Sequence, residues 1–569
     1  MIKEIKKKLI SILKKININL NQNLIDIQRP KIRSFGDYST SIALKLAKTL
    51  KKNPMEIGKF IKQSFQKDEL FEKIEVISPG FINFWLSKKI LLANLKKNIK
   101  NIFSFPSFSF GKNKKVIIEY AQPNTHKLFH IGHLRNIILG ESLARIFETL
   151  GNKVIRANYQ GDVGLHIAKC LWAVKKEQGN NKNILENLKT LGEKIEFIGK
   201  MYTQGTKAYE ENEKAKKQII EINKQIYEKD KKILSLWQIT RQWSLDYFEK
   251  IYERLDTKFD RLFFESEMSQ RGLEICEKAL KKGILEKSQE AVVFNGKKYG
   301  LDTRVFVNSL GYPTYEGKEL ALAEKEFSEF GKIDKAIHLT TPEQKSFFKV
   351  TFKVEELLNP KKFRNKQYHL SYEWVKLKEG KMSSRAGNII EANWLIDEVK
   401  KKILNDFKID GETSEKIAVA SVKYTFLKTS PENPIYFDIK ESISLKGNSA
   451  PYILYTYIRA KSILKKEGVF KKQKLYYPLN VNQEENEILR LLIMFPEAVL
   501  NSALYFSPHF LCQYLYELSQ KFNLLYEKYP ILKEKNKNLK TFRLLLTQAT
   551  ANVIKKGFFI LGIKTVEKM

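Results

Sequence analysis

Apolar residues at the start of the chain recur at the spacing of one helix face. Ile2, Ile5, Leu9 and Ile12 stand three or four positions apart, and this spacing predicts an amphipathic helix that packs into a folded domain. A strand-like run, IEVISPGFINFWLS, follows further along the chain. Residues 103–110 contain a proline and repeated serines, a composition that indicates a linker to the next domain.

The next region alternates apolar β-like runs with helical patterns, from about residue 114 to residue 440. The run KVIIEY (115–120) predicts the first strand, and KVIRANY predicts the second. Between them a helix is predicted from about His130 to Leu150, with Gly151 as its stop signal. This alternation is typical of an α/β fold with a parallel sheet.

Two further stretches are helical in pattern. Residues 180–255 are long and highly charged, and we interpret them as an insertion on the sheet. Residues 447–569 show no convincing strand. The chain is therefore predicted to hold three domains, at 1–90, 112–440 and 447–569. No run of eighteen or more consecutive apolar residues occurs in the sequence, so no segment is expected to cross a membrane.

The composition changes this picture mainly through its charge. The 569 residues carry a formal net charge of +37, which suggests a nucleic-acid partner because cationic surfaces attract phosphates. Lysines make up 86 of the 101 basic residues and arginines only 15, and the abundant Lys, Asn and Ile all have A/T-rich codons. Charge alone therefore leaves two explanations open, an RNA partner and compositional drift.

Three cysteines lie far apart, at Cys170, Cys276 and Cys512. They form no C-x-x-C pair, so the sequence indicates neither a zinc ribbon nor a disulfide framework. A reducing, cytoplasmic setting fits this cysteine usage best.

The segment PNTHKLFHIGH (123–133) carries the first candidate chemistry. It follows a predicted strand and opens a helix, which is where α/β sheets bind ligands. His130 and His133 share one face of the first turn, beside the free N–H groups that favour phosphate. Gly132 lacks a side chain, so an adenine ring could lie against the backbone. The alternative is a metal-binding pair, but zinc needs a third ligand and none stands nearby in the sequence.

The segment KMSSR (381–385) is the second candidate for a functional motif. Lys381 and Arg385 enclose Met382, Ser383 and Ser384 in a short polar, cationic loop that can close over a pyrophosphate leaving group. In isolation such a loop is usually a solvated turn. Its place on the same α/β region as the two histidines favours a shared site.

Together the two motifs resemble the paired signatures of the class I aminoacyl-tRNA synthetases, H-I-G-H and K-M-S-K-S. Other segments narrow the resemblance to the arginyl-tRNA synthetases. SFGDYSTSIALKLAK and PGFINF resemble the N-terminal domain of that family, NYQGDVGLHIAK and SAPYILYTYIRAKSIL its later blocks, and RLLLTQATANVIKKGFFILGIKTVEKM its C-terminal anticodon-binding helices. The resemblance implies a Rossmann-type catalytic domain between an N-terminal α+β domain that contacts tRNA and an all-α anticodon-binding bundle.

The same resemblance assigns the residues of the site. Catalytic roles fall to His130, His133 and Lys381. Contacts to ATP fall to Lys127, His130, Gly132, His133, Lys381, Met382, Ser383, Ser384 and Arg385. The arginine pocket is assigned to Glu119, Asn124, Tyr315, Glu319, Gln344 and, on a weaker match, Glu265. Glu119 and Asn124 would contact the substrate near its amino group. A guanidinium is held best by a carboxylate, and Glu319, which replaces the more usual Asp, is the first candidate.

The implied reaction joins arginine to tRNA in two steps. The arginine carboxylate attacks the α-phosphate of ATP, with Mg²⁺ neutralising the phosphates, and the arginyl group then passes to the terminal ribose of tRNA(Arg). The carboxylate is already ionised at neutral pH, so no general base is required. We expect a cytoplasmic monomer with no metal ligands of its own. One alternative is another class I synthetase, such as the cysteinyl or glutamyl enzyme, against which the missing zinc cysteines and the acidic pocket positions argue. The other is an RNA-binding protein that has lost catalysis, against which the intact His130, His133 and Lys381 argue.

Overall fold

The structure is a computed structural model of the chain. It describes residues 1–15, 25–30, 32–65, 68–100, 111–378, 390–468, 478 and 481–569. Two predictions fall outside these residues, the linker at 103–110 and the cationic loop at 381–385.

The N-terminal region is a small antiparallel sheet covered by helices. The strand order is β1-β3-β2. Helix α3 begins where a prolyl residue follows Asn53, whose side chain accepts a hydrogen bond from the Met55 N–H and caps the first turn. The elements are α1 (Ile2–Lys15), β1 (Tyr38–Thr40), α2 (Ile42–Leu50), α3 (Pro54–Ser64), β2 (Phe71–Ile77), β3 (Phe81–Leu86) and α4 (Lys88–Lys100).

The central region is built on a five-stranded parallel sheet. The first half contains β4 (Lys115–Glu119), α5 (Ile131–Thr149), β5 (Lys153–Gln160), α6 (Leu165–Asn180), α7 (Ile184–Asn187), α8 (Leu191–Glu211), α9 (Glu213–Tyr227), α10 (Lys231–Arg254), β6 (Arg261–Phe264) and α11 (Glu265–Lys281). The second half contains β7 (Glu286–Ser288), β8 (Ala291–Phe294), β9 (Arg304–Val307), α12 (Tyr315–Glu329), β10 (Lys335–Thr340), α13 (Lys345–Leu358), α14 (Pro360–Phe363), β11 (Gln367–Ser371), β12 (Val375–Leu377), α15 (Ala392–Asp406), α16 (Gly411–Leu427), β13 (Ile435–Phe437) and α17 (Ile439–Ser442).

The strand order of this sheet is β11-β10-β4-β5-β6, and every neighbouring pair is parallel. The chain passes from β4 to β5 on one side and later returns to β10 on the other, so the order reverses between β4 and β10. Ligands of open parallel sheets bind at such a reversal, outside the carboxyl ends of the strands. Glu119 ends β4 and lies in register with His338 of β10 at this point.

The two faces of the sheet pack into different cores. Val116 and Ile118 join the core on one face, whereas Ile117 joins the core formed with α11, α12 and α13 on the other. Because side chains alternate along a strand, Glu119 lies on the same face as Ile117, toward α12 and α13. The residues between 180 and 255, predicted as a charged helical insertion, contain helices α7 to α10, which pack with α6 around a core of their own.

The C-terminal region is helical throughout the residues that the structure describes after Gly447, as its pattern predicts. Its helices are α18 (Ala450–Glu467), α19 (Gln483–Leu504), α20 (His509–Lys528) and α21 (Lys537–Ile560). They share one hydrophobic core with the N-terminal helices and with α5 and α16. Hydrogen bonds join the first and last regions directly, from Tyr38 Oη to Glu497 at 2.8 Å and from Asn552 to the Asn98 carbonyl at 3.0 Å.

Candidate active site

The two histidines of the HIGH segment build the start of α5. His130 is the N-cap residue, and its Nδ1 accepts a hydrogen bond from the Gly132 N–H at 3.1 Å. His133 Nδ1 accepts from the His130 N–H at 3.3 Å, which completes a capping box. The rings stack with their centroids 3.8 Å apart. Since each Nδ1 is an acceptor, each proton resides on Nε2, and both rings are neutral donors.

The surroundings of these rings keep them neutral. Burial lowers the pKa of His130 to about 4, and the charge of Lys127 adds to the effect. Burial also holds the pKa of His133 well below its usual range, with further contributions from His130 and Lys127. Two neutral Nε2–H donors at a helix N-terminus, with a lysine close by, suit a phosphate ligand.

Gly132 is required by the cap itself. A Cβ on Gly132 would lie 2.8 Å from Cε1 and 2.9 Å from Nδ1 of His130, so any side chain would push the imidazole out of its capping position. Whether adenine also lies against this glycine stays a prediction. The residues before His130 are held against α10, because the His126 backbone N–H donates to Ser244 Oγ at 3.0 Å.

The cationic loop, Lys381 to Arg385, lies outside the described residues, but the chain immediately after it contacts the histidine segment. The Ile131 N–H donates to the Ile390 carbonyl at 2.9 Å, and the Ala392 N–H donates to the Phe129 carbonyl at 2.9 Å. Residue 390 follows the loop by five positions. The structure therefore places Ile390 and Ala392, which follow the second motif in sequence, beside the first turn of α5.

An acidic cluster lies at the other end of the site, under the reversal of the sheet. Glu119, Glu319, Glu326 and Glu355 are all buried, and His338 lies among them with no exposed surface. Tyr315 begins α12, so the segment after Thr314 is helical. The pair that the sequence placed on one helix face differs in exposure, since Tyr315 is 57% exposed and Glu319 only 4%.

Burial and mutual repulsion set the protonation of this cluster. Burial raises the pKa of Glu319 well above its usual range, and the Glu119 carboxylate raises it further. Burial is also the main cause that raises the pKa of Glu326 and that of Glu355, the latter to about 8. Burial would lower the pKa of His338, but Glu119 outweighs it and holds that pKa well above the usual value. Burial therefore favours the neutral forms of Glu319, Glu326 and Glu355.

Several carboxylate oxygens of the cluster lack hydrogen-bond partners. Among the described residues, these include Oε1 of Glu319, both oxygens of Glu326 and Oε1 of Glu355. Leaving buried polar atoms unpaired is unfavourable. A cationic ligand that entered beside Glu319 would supply the missing donors.

The remaining pocket candidates occupy different positions. Asn124 forms a parallel bridge to Gly161 beyond β5. Gln344 ends the short turn after β10 and is exposed. Glu265 Oε2 accepts from Lys318 Nζ at 2.9 Å, and both side chains are buried. Glu265 therefore already has a cationic partner, whereas Glu319 has none among the described residues.

Sequence reasoning missed the deeper members of this cluster. His338 lies in the strand run KAIHLT, and Glu326 follows Glu319 by seven positions on α12. A polar residue inside a buried strand, and a second acid on the same helix face, were the available signals. The ligand atoms of Glu119, Glu326 and His338 lie within 4.8 Å of one another. A metal ion could bind there only if His338 gave up the proton that its Nδ1 shares with Glu119.

Fold and site together define a class I aminoacyl-tRNA synthetase. The family model described as "tRNA synthetases class I (R), catalytic domain" matches residues 99–433. The arginyl-tRNA synthetase N-terminal domain matches residues 3–86, and the DALR anticodon binding domain matches residues 453–569. The chain belongs to the arginyl-tRNA synthetase family.

Individual relatives agree with this assignment. The arginine–tRNA ligase of Fusobacterium nucleatum is 31% identical and that of Treponema denticola 32%; the alignments cover 94% of both chains in the first case, and 96% of this chain and 95% of the relative in the second. Among solved structures, Thermus thermophilus arginyl-tRNA synthetase matches with a TM-score of 0.82 at 23% identity over 100% of both chains. The Plasmodium falciparum enzyme matches with a TM-score of 0.82 at 22% identity, over 100% of this chain and 99% of that one. These two structures show the fold.

Proposed function

We propose that the chain activates arginine with ATP and transfers the arginyl group to the 3′-terminal ribose of tRNA(Arg). The observation that carries this proposal is the pairing of two chemically opposite ends in one site. Neutral imidazole donors on the first turn of α5 suit the triphosphate, and buried carboxyls under the sheet reversal suit a cationic amino acid. Membership of the arginyl family supports the same reaction.

At the phosphate end, His130 and His133 would donate Nε2–H groups to the charge that develops on the α-phosphate. Lys127 would add a positive charge close to both imidazoles. ATP enters as its Mg²⁺ complex, and the ion offsets part of the triphosphate charge. The loop from Lys381 to Arg385 would close over the pyrophosphate. The hydrogen bond between Ile131 and Ile390, five residues after the loop, supports this role.

At the arginine end, Glu319 is the proposed partner of the guanidinium, with Tyr315 at the start of the same helix. Glu119 and Asn124 would receive the ammonium group, and Gln344 would complete the pocket from the turn after β10. Glu265 is a weaker candidate for the guanidinium partner than Glu319, because Glu265 already forms an ion pair with Lys318.

The outer regions are proposed to hold the tRNA. The match of residues 453–569 to an anticodon-binding domain and the net charge of +37 support this role. Among the described helices, none combines the length and the apolar character that a membrane-spanning segment needs. We also propose that the chain acts as a monomer in the cytoplasm, where its three buried, free thiols would stay reduced.

The direct test is ATP–pyrophosphate exchange with each of the twenty amino acids, with and without tRNA. We expect exchange with arginine and with none of the other nineteen amino acids. A preparation of the His130→Ala, His133→Ala double variant controls for contaminating enzymes. Exchange driven by glutamate or cysteine would reassign the chain to another class I specificity, and a lack of exchange under both conditions would favour an RNA-binding protein without catalysis.

A further inference from the structure

A buried histidine holds one carboxylate of the proposed arginine pocket. His338 and Glu119 are register partners on adjacent strands, with 0% and 2% of their surfaces exposed. His338 Nδ1 lies 2.7 Å from Glu119 Oε2. A carboxylate oxygen can only accept, so Nδ1–H donates to it. The Gln122 amide donates to the other oxygen of Glu119, and the carboxylate is therefore fixed from both sides.

The far side of the imidazole is also bonded. His338 Nε2 lies 3.0 Å from Gln367 Oε1, and Gln367 Nε2 donates to Glu355 Oε2 at 2.7 Å. With the amide in this orientation both ring nitrogens donate, and the ring is an imidazolium. Turning the amide over would place a proton on Glu355 instead and leave Nδ1–H donating to Glu119. The contact with Glu119 is the same in both arrangements.

The carboxylate needs this donor because its surroundings are acidic. Glu319 and Glu326 face it from α12, and Glu326 has both of its oxygens unpaired. The nearest ligand atoms of Glu119, Glu326 and His338 lie within 4.8 Å of one another. Like charges in a buried site drive one carboxyl to take up a proton. Without the imidazole N–H, Glu119 would be free to rotate or to become neutral, and either change would weaken its hold on an ammonium group.

We propose that His338 is a positioning residue for arginine recognition: its Nδ1–H fixes the Glu119 carboxylate in the orientation that receives the ammonium group of the substrate. This inference rests on the proposed function, in which Glu119 contacts arginine near its amino group. Its consequence is selective. Loss of the Nδ1 donor should weaken arginine binding and leave ATP binding unchanged.

Two isosteric substitutions separate this role from packing. In His338→Asn the side-chain amide nitrogen can occupy the position of Nδ1, whereas in His338→Gln it occupies the position of Nε2. Both remove the ring that packs on Phe348 and Phe352, with centroids 5.3 and 5.5 Å away. We expect His338→Gln to raise KM for arginine about tenfold or more, as when a hydrogen bond to a charged group is lost. His338→Asn should stay within about threefold of the parent, because it keeps the donor.

His369→Gln is the matched control. His369 lies in register with His338 on β11, stacks on the same Phe348, and its Nε2 bonds Thr340 Oγ1 at 2.7 Å. His369→Gln should change KM for arginine by less than about twofold, because His369 forms no hydrogen bond with Glu119. Equal losses in His338→Asn and His338→Gln, or a parallel rise in KM for ATP, would overturn the proposal.

Competitive inhibitors locate the effect on the substrate. Agmatine keeps the amino group and the guanidinium of arginine, whereas 5-guanidinopentanoic acid keeps the guanidinium and lacks the amino group. His338→Gln should raise the inhibition constant of agmatine about tenfold and leave that of the acid unchanged. An equal effect on both would overturn the proposal. If the parent chain does not use arginine at all, the proposed function has failed, which is a separate result.

A measurement on the parent chain covers the case in which His338→Gln does not fold. Labelling the histidines with ¹⁵N makes the hydrogen-bonded Nδ1–H of His338 observable by NMR. Agmatine should shift this signal, because its amino group would bind the same carboxylate, and 5-guanidinopentanoic acid should leave it in place. If the Nδ1–H signal does not shift at a saturating concentration of agmatine, the proposal is overturned.

Discussion

The two ends of the site are assembled in different ways. The phosphate end comes from one short segment, in which His130 and His133 cap the helix that they begin. The arginine end collects single residues from β4, β10, β11, α12 and α13, so it exists only once the sheet has formed. Burial acts on both ends. It keeps His130 and His133 neutral at the first. At the second it favours the neutral forms of Glu319, Glu326 and Glu355.

This difference indicates what each end can bind. A neutral imidazole with its proton on Nε2 is a donor and suits the oxygens of a triphosphate. A buried carboxyl kept neutral by burial regains its charge when a cation arrives, so the arginine end should gain most of its electrostatic energy from the substrate itself.

The largest effect should come from Glu319→Gln. The change keeps the shape of the side chain and removes its charge, and losing one partner of a desolvated ion pair typically costs about 3–5 kcal/mol. We expect kcat/KM for arginine to fall by roughly 10²–10³, with KM for ATP nearly unchanged. Glu324→Gln, on the exposed side of the same helix and paired with Arg271, is the matched control. If Glu319→Gln stays within about threefold of the parent, the guanidinium is bound elsewhere.

His130→Ala and His133→Ala test the other end. Each should slow adenylate formation by a factor of about 10²–10³, as expected when one donor to a transition state is lost. Arginine affinity, measured at equilibrium, should be retained, because the carboxyl cluster is built from other elements. Single-turnover activation measures the rate. Near-normal activation in both variants would remove these residues from the catalytic assignment.

A smaller effect should follow pH. Burial and Glu119 raise the pKa of Glu319 in the empty pocket, so the carboxyl holds a proton that guanidinium binding must release. The affinity for arginine should therefore increase as pH rises from about 6 to 8, by up to about tenfold per unit. KM for ATP measured in parallel should not follow this trend. An arginine affinity that is flat, or that falls with pH, would show that Glu319 is already ionised before the substrate binds.

The smallest effect concerns stability. Burial raises the pKa of Glu355 to about 8 from 4.5, so the folded state holds a proton that the unfolded state releases between these values. The stability contributed by this group therefore falls as pH rises through that window. Glu355→Gln removes the titration, and relative to the parent it should gain about 2–3 kcal/mol between pH 6 and pH 8.5. Chemical denaturation at both pH values measures this, and an equal difference at the two would contradict the assignment.

Much of the fold could be predicted from the sequence. Strands β4 and β5, helix α5 with its end before Gly151, and the helical C-terminal region all follow from local periodicity. The capping histidines were also accessible, because the chemistry and the helix start share one segment. These elements could be predicted because each depends on residues that are close to one another in the sequence.

The acidic end could be predicted only in part. Glu119 and Glu319 were found through the resemblance to a family. His338, Glu326 and Glu355 were not. His338 is a lone polar residue in an apolar strand, whereas Glu326 and Glu355 have charged neighbours in the sequence and resemble residues of a solvated helix face. The role of each depends on which strands and helices become neighbours. The pairing of β4 with β10, across a long separation in sequence, is what turns His338 into a partner of Glu119.

In the proposed reaction the buried carboxyls select the charge of the guanidinium. Citrulline tests it most directly, since it has nearly the shape of arginine and carries a neutral urea group. The measurement is kcat/KM for tRNA charging with arginine and with citrulline by the parent chain. We expect a preference for arginine of at least about 10³, because citrulline would leave the buried acids without a charged partner. Charging of citrulline within about tenfold of arginine would contradict it.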